Sequence, residues 1–81
     1  MKHKSCYWDP QQKKIIIDGR KHIPHHQDTQ PDRVISAHLE GDNTVIVTVK
    51  PFATSTTASH KVVFKNVGIN STLTGGTKTK L

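Results

Sequence analysis

The chain has 81 residues, of which 32% are hydrophobic and 22% charged, with a formal net charge of +6. A chain of this length forms one small domain that buries roughly 60% of its unfolded surface, and such a core rarely supplies more than about 3–5 kcal/mol. The single cysteine, Cys6, excludes an internal disulfide, and no apolar run approaches the ~18 residues that a membrane-spanning helix needs.

In chain order, the basic start Met1-Lys2-His3-Lys4-Ser5-Cys6 is followed by no apolar stretch, so no secretory signal is expected. Ser5 to Trp8 reads as a strand ending at the turn Asp9-Pro10-Gln11-Gln12, where proline fixes φ. Lys14 to Ile17 and Arg20 to Ile23 flank Asp18-Gly19, a dipeptide that accepts the two positive φ angles of a type I′ hairpin turn. Residues 5–23 are thus predicted to form a three-stranded meander. Pro24 to Asp32 has two prolines and no aliphatic residue, which predicts a loop.

Residues 33–50 carry the plainest structural signal. Val34 to Glu40 and Thr44 to Lys50 are two β-rich runs joined by Gly41-Asp42-Asn43. Ile35, Ala37 and Leu39 fall on one face of the first run, and Val45, Val47 and Val49 on one face of the second. Pro51 ends the hairpin because it has no N–H for a ladder. After a hydroxyl-rich loop over 53–59, residues 60–67 read as the last strand, with Val62 and Phe64 on one face and Val63 and Val67 on the other.

Asn70 to Leu81 is rich in Thr, Gly and Lys and has no packable pattern, so residues 70–81 are expected to be a flexible or partner-ordered tail beyond a domain over 1–69. Leu73 is not expected to reach a core. The expected fold is all-β: a small antiparallel barrel or sandwich of five to six short strands with extended basic N- and C-terminal arms. Its core is predicted to use Ile15, Ile17, Ile35, Ala37, Leu39, Val45, Val47, Val49, Val62 and Phe64.

The charge is uneven, at +4 over residues 1–26, −2 over 27–59 and +4 over 60–81. Basic ends around a slightly acidic middle attract nucleic acid or an acidic protein surface. Lys13, Lys14, Arg20, Lys21, Lys78 and Lys80 are the candidate contacts. The ten lysines against two arginines favour phosphate contact over the bidentate reading of bases. Tyr7-Trp8 amid lysines has the composition of a base-stacking platform, although Trp8 also suits a core anchor.

The metal candidates are His3-x-x-Cys6 and His22-x-x-His25, with His26 and Asp28 nearby. Paired ligands on turns are a common way to hold structural zinc, which would be the one cofactor of this chain. Tight turns at 9–12 and 18–19 would set Cys6 and His22 two strands apart with Ile15 between, and only a slip of register would bring them together. No nucleophile–base arrangement and no phosphate loop is present, Gly75-Gly76 lacking a following helix, so a non-enzymatic protein is expected. Asn70-Ser71-Thr72 matches a glycosylation sequon, which a cytoplasmic route would leave unused.

The function expected from these features is structural: an assembly protein docking on a larger, multimeric protein complex through its arms. Accessory components of virus particles, such as capsid-decorating or tail proteins, share that architecture, so the expected location is the cytoplasm or a particle assembled there. The alternative is a small basic nucleic-acid-binding module, zinc-stabilised in one version.

Overall fold

The computed structural model describes residues 3–68 and 73–81, and over them the chain is all-β. Seven strands occur: β1 (Cys6–Asp9), β2 (Lys14–Ile17), β3 (Arg20–His22), β4 (Val34–Glu40), β5 (Thr44–Val49), β6 (His60–Phe64) and β7 (Thr77–Lys80). They form two antiparallel sheets, β1-β2-β3 and β4-β5-β6-β7, rather than a closed barrel. Among the described residues the only helical turn is a 3₁₀ turn at Pro31–Arg33, and no helix is long and apolar enough to cross a membrane.

Local chemistry sets the turns. Asp18 and Gly19 both take positive φ, 50° and 80°, and Ile17 pairs directly with Arg20 across them. The first turn is longer than its sequence suggests. Asp9 pairs with Lys14, leaving Pro10 to Lys13 as the loop, and Lys13 enters the left-handed region at φ 57°. The Asp9 carboxylate holds this loop by accepting from the backbone N–H of Gln11 (2.9 Å) and Gln12 (3.2 Å). The two extra residues move the β1 register, so Cys6 lies opposite Ile17 and Trp8 opposite Ile15.

One core serves both sheets. Ile15 and Ile17 of β2 pack with Val34, Ala37, Val45, Val47, Val49, Val62, Phe64, Val67 and Leu73, and Cys6, Trp8 and Leu39 flank the cluster. β1 lies alongside β4, which brings the sheets together.

Ile35 departs from the alternation predicted for β4 and is 43% exposed. Val34 pairs with Val49 while Ser36 pairs with Thr48, so Ile35 is the extra residue of a β-bulge. A bulge shifts the side-chain phase by one. Val34 and Ala37 therefore both face the core, and the interior loses the larger Ile35 in favour of Val34.

The other corrections concern the C-terminal segment. The tail expected over 70–81 includes β7, which pairs with β6 from His60↔Lys80 to Val63↔Thr77 and brings the strand count among the described residues to seven. Leu73, expected outside the core, is fully buried, and its carbonyl accepts from His25 N–H at 2.7 Å. The sequon and the boundary at residue 70 lie outside the described residues. At the other end, His3 N–H donates to the Asp42 carbonyl (2.9 Å), so the chain is fastened to the body from His3 onward.

Candidate functional site

Residues 24–32, within the loop between β3 and β4, include no aliphatic residue, yet Asp28 and Thr29 are buried there. Polar side chains make this tolerable by satisfying the loop's own backbone. Thr29 Oγ1 donates to the carbonyls of His26 (3.0 Å) and Pro24 (3.3 Å), and Asp28 N–H donates to His26 Nδ1 (3.1 Å). His26 Nδ1 is consequently an acceptor, and its 3.8 Å approach to Asp28 Oδ2 sets two acceptors side by side.

Asp28 is the electrostatic hub of the domain. Arg33, the last residue of the 3₁₀ turn before β4, donates from its Nη2 to Asp28 Oδ1 at 3.1 Å, with both side chains largely buried. Arg33 Nε also donates to the Lys50 carbonyl at 3.0 Å, tying the hub to the end of β5. The second oxygen, Asp28 Oδ2, is buried with no hydrogen-bond partner, and the ammonium of Lys78 lies 3.7 Å from it. The hub thus joins the loop and both ends of the four-stranded sheet.

Lys78 reaches Asp28 because of its register. It lies opposite Val62, whose side chain points into the core, so Lys78 projects from β7 on the same face. Immediately before β7, a Cβ on Gly76 would stand 2.6 Å from Val62 Cγ1 and 2.8 Å from Phe64 Cε2. Only glycine lets the backbone lie this close to the core. Neither requirement has a hydrophobic signature. The available sequence signal was the Gly75-Gly76 pair, two residues before a lysine.

The four proposed zinc ligands do not converge. Among the described residues no three His, Cys, Asp or Glu side chains come together as a metal site requires. The observed register moves Cys6 further from His22, two strands across and two residues along, on the order of 12 Å by ordinary strand spacing. Cys6 is half-buried, and burial, with a smaller push from the Asp18 charge, raises its thiol to about 11. His25 is exposed at the Leu73 contact, and His22, the last residue of β3, is buried.

His3 is committed elsewhere. Its Nε2 donates to the Val67 carbonyl (2.6 Å), and its Nδ1 meets Asp18 Oδ2 (2.9 Å). Both ring nitrogens are thus engaged within the domain, one at a carbonyl and one at a carboxylate. Asp18 also accepts from the N–H groups of Lys4 (2.7 Å) and Ser5 (2.9 Å). The His3 bond, then these two N–H groups, hold the Asp18 carboxyl below the usual carboxylate range. A depressed folded value means stability that is full above about pH 3.9, the unfolded value, and is lost as pH falls through the folded one. Asp18→Asn is expected to lower the neutral-pH urea midpoint and to flatten its acid limb. An unchanged acid limb would show that the clasp is not what acid breaks.

The basic candidates fall on separate surfaces. Lys13 pairs with Asp32 at 3.1 Å on the exterior. Lys14 and Lys21 share the outer face of the three-stranded sheet with exposed Tyr7, since Tyr7, Ile16 and Lys21 are in direct register. Arg20 falls on the opposite face, beside a cavity of about 230 Å³ shared with His3, Ile17, Asp18 and His22. Lys78 and Lys80 lie on β7, where every residue is exposed. Trp8 packs against the core and also lines a groove of about 380 Å³ with Pro10, Pro31, Val34 and Ala53.

Comparison with protein-family models, with curated proteins and with solved structures gives no match, so function must be read from these residues.

Proposed function

We propose that this chain is a non-enzymatic structural protein that docks on a larger protein assembly through its C-terminal strand. The observation that carries the reading is β7. It ends the strand order of the larger sheet, all four of its residues are exposed, and it contributes no apolar side chain to the core. An edge of this kind offers a row of backbone donors and acceptors to a partner, while Lys78 and Lys80 add charge that suits an acidic surface. Accessory proteins of virus particles remain the closest architectural analogy.

Removal of residues 77–81 tests the proposal. The cut belongs after Gly76, because one at Asn70 would also remove the buried Leu73. The shortened chain is expected to keep its β circular-dichroism signal and to stop co-purifying with its native complex. Undiminished co-purification would overturn the proposal.

A second reading, binding of single-stranded nucleic acid, is favoured by one feature: exposed Tyr7 flanked by Lys14 and Lys21 on the outer face of the first sheet. It predicts salt-sensitive binding of an oligonucleotide that Tyr7→Ala and Lys21→Glu each weaken, by stacking and by lost phosphate contact. Absence of fluorescence-anisotropy binding at about 50 mM salt, where such contacts are strong, would remove it.

A further inference from the structure

We infer that β7 is an exchangeable strand and that the partner it fits is a second copy of this chain; the inference rests on the assembly reading above. Residues 77–80 of one copy pair with β6 of the other, and Lys78 of the incoming strand meets the Asp28 hub of the receiving body.

The receptor for β7 is built by the rest of the domain. Asp28 is positioned by Arg33 and by the His26 ring, whose Nδ1 accepts from the Asp28 backbone N–H, and only 6% of its surface remains exposed. One of its oxygens has no hydrogen-bond partner, and the nearest ammonium is that of Lys78. A lysine at this register is therefore what the site takes, whichever copy provides it. Beside it, the surface of Val62 and Phe64 admits a backbone only where the residue has no side chain, which is Gly76. Glycine followed two positions later by lysine, in an extended segment, is what this chain carries at 76–78. The docking groove and the strand that fits it are encoded together, so the committed occupant is another copy's 76–80 segment.

The strand is also detachable in a way the others are not. Thr77 to Lys80 carry no apolar side chain, so their departure takes none from the core. Their hold is the β6 ladder, continued by Leu81 N–H donating to the Ser59 carbonyl at 3.2 Å, together with Lys78. The chain is anchored just before them at Leu73, and between anchor and strand stands Gly75 at φ +69° with open space around it. Five residues beyond Gly76 reach about 17 Å when extended, close to the 17 Å smallest dimension of the domain. A strand of that reach crosses to a copy in direct contact and no further. The natural arrangement is a two-fold pair in which each copy gives and receives one strand. Because contacts in the pair equal those within one chain, exchange competes with a tethered strand. It is favoured where local concentration approaches the about millimolar range of short tethers, as on an assembly surface.

The test uses the full-length chain with Cys6→Ser, Lys61→Cys and Thr79→Cys. Lys61 and Thr79 are direct partners in the β6–β7 register and both are exposed, a position suited to a cross-strand disulfide. Oxidised at about micromolar concentration, far below the effective concentration of a tether, this variant locks β7 onto its own β6. Oxidised at about millimolar concentration it is expected to give covalent dimers that reduction reverses. The reduced variant and the unaltered chain are both expected to show concentration-dependent dimers in light scattering, and the locked form to stay monomeric. Adding Lys78→Glu is expected to lower the intrachain disulfide at micromolar concentration and the covalent dimer at millimolar concentration alike, by at least about tenfold, because both pairings set a like charge at the Asp28 hub. If only intrachain disulfide forms at every concentration, or if the locked form associates as well as the reduced one, the exchange is overturned. A locked form that still joins the native complex overturns exchange but leaves the assembly reading standing. If neither locked nor reduced chain joins that complex, the assembly reading itself fails.

Discussion

Asp28→Ala is expected to lower the unfolding free energy by about 3–5 kcal/mol, the loss that follows removal of one partner from a buried ion pair. A domain of this length has roughly 4–12 kcal/mol in total, at about 0.05–0.15 kcal/mol per residue, so the variant falls near its folding limit. The cause is the partner left behind. Arg33 keeps only 15% side-chain exposure and would hold its charge without the carboxylate. Two comparisons isolate this cause in urea denaturation. Asp32→Ala breaks the exposed Lys13–Asp32 pair and is expected to cost under about 1 kcal/mol. Asp28→Leu combined with Arg33→Met removes both charges and is expected to recover part of the loss. A double variant worse than the sum of its single changes would show that the hub serves packing rather than charge.

Gly76→Ala is the second large effect, expected at about 1–3 kcal/mol or more from overpacking. The added carbon would meet Val62 and Phe64 at 2.6–3.0 Å, and both side chains are fully buried, so neither has room to retreat. Gly75→Ala makes a useful contrast. Its Cβ would meet nothing within 4 Å, and only the left-handed φ of +69° resists it, at about 1–2 kcal/mol. Hydrogen exchange separates the two, because Gly76→Ala is expected to strip protection from the β6–β7 ladder first and to leave β4–β5 protected. Greater damage from Gly75→Ala would mean that β7 is not held against the core through Gly76.

The candidate site was legible in pieces. Asp28 stood out as an acid beside histidines, and Lys78 as part of a basic C-terminal run, but their juxtaposition was not readable. Metal geometry was the natural inference from His3-x-x-Cys6 and His22-x-x-His25, because spacing is a sequence property. Register is not, and a four-residue turn in place of a tighter one carried Cys6 away from His22. His3, meanwhile, found its partners in Asp18 and Val67, neither close to it in the chain.

The sequence by itself determined what short-range chemistry controls. Alternating valines specified β5, Asp18-Gly19 specified its own turn, and proline and glycine marked where strands stop. The scarcity of apolar residues set the scale of the core. Tertiary structure decided whatever depended on distant neighbours. A bulge moved Ile35 out and Val34 in, since pairing with β5 and not local alternation fixes the phase of β4. Residues 77–80 became a strand without any hydrophobic pattern, because a backbone ladder and one buried carboxylate receive them. Hydrogen bonds and buried charges carry no periodicity along a chain, and the surface by which this protein is proposed to act is held by those two forces.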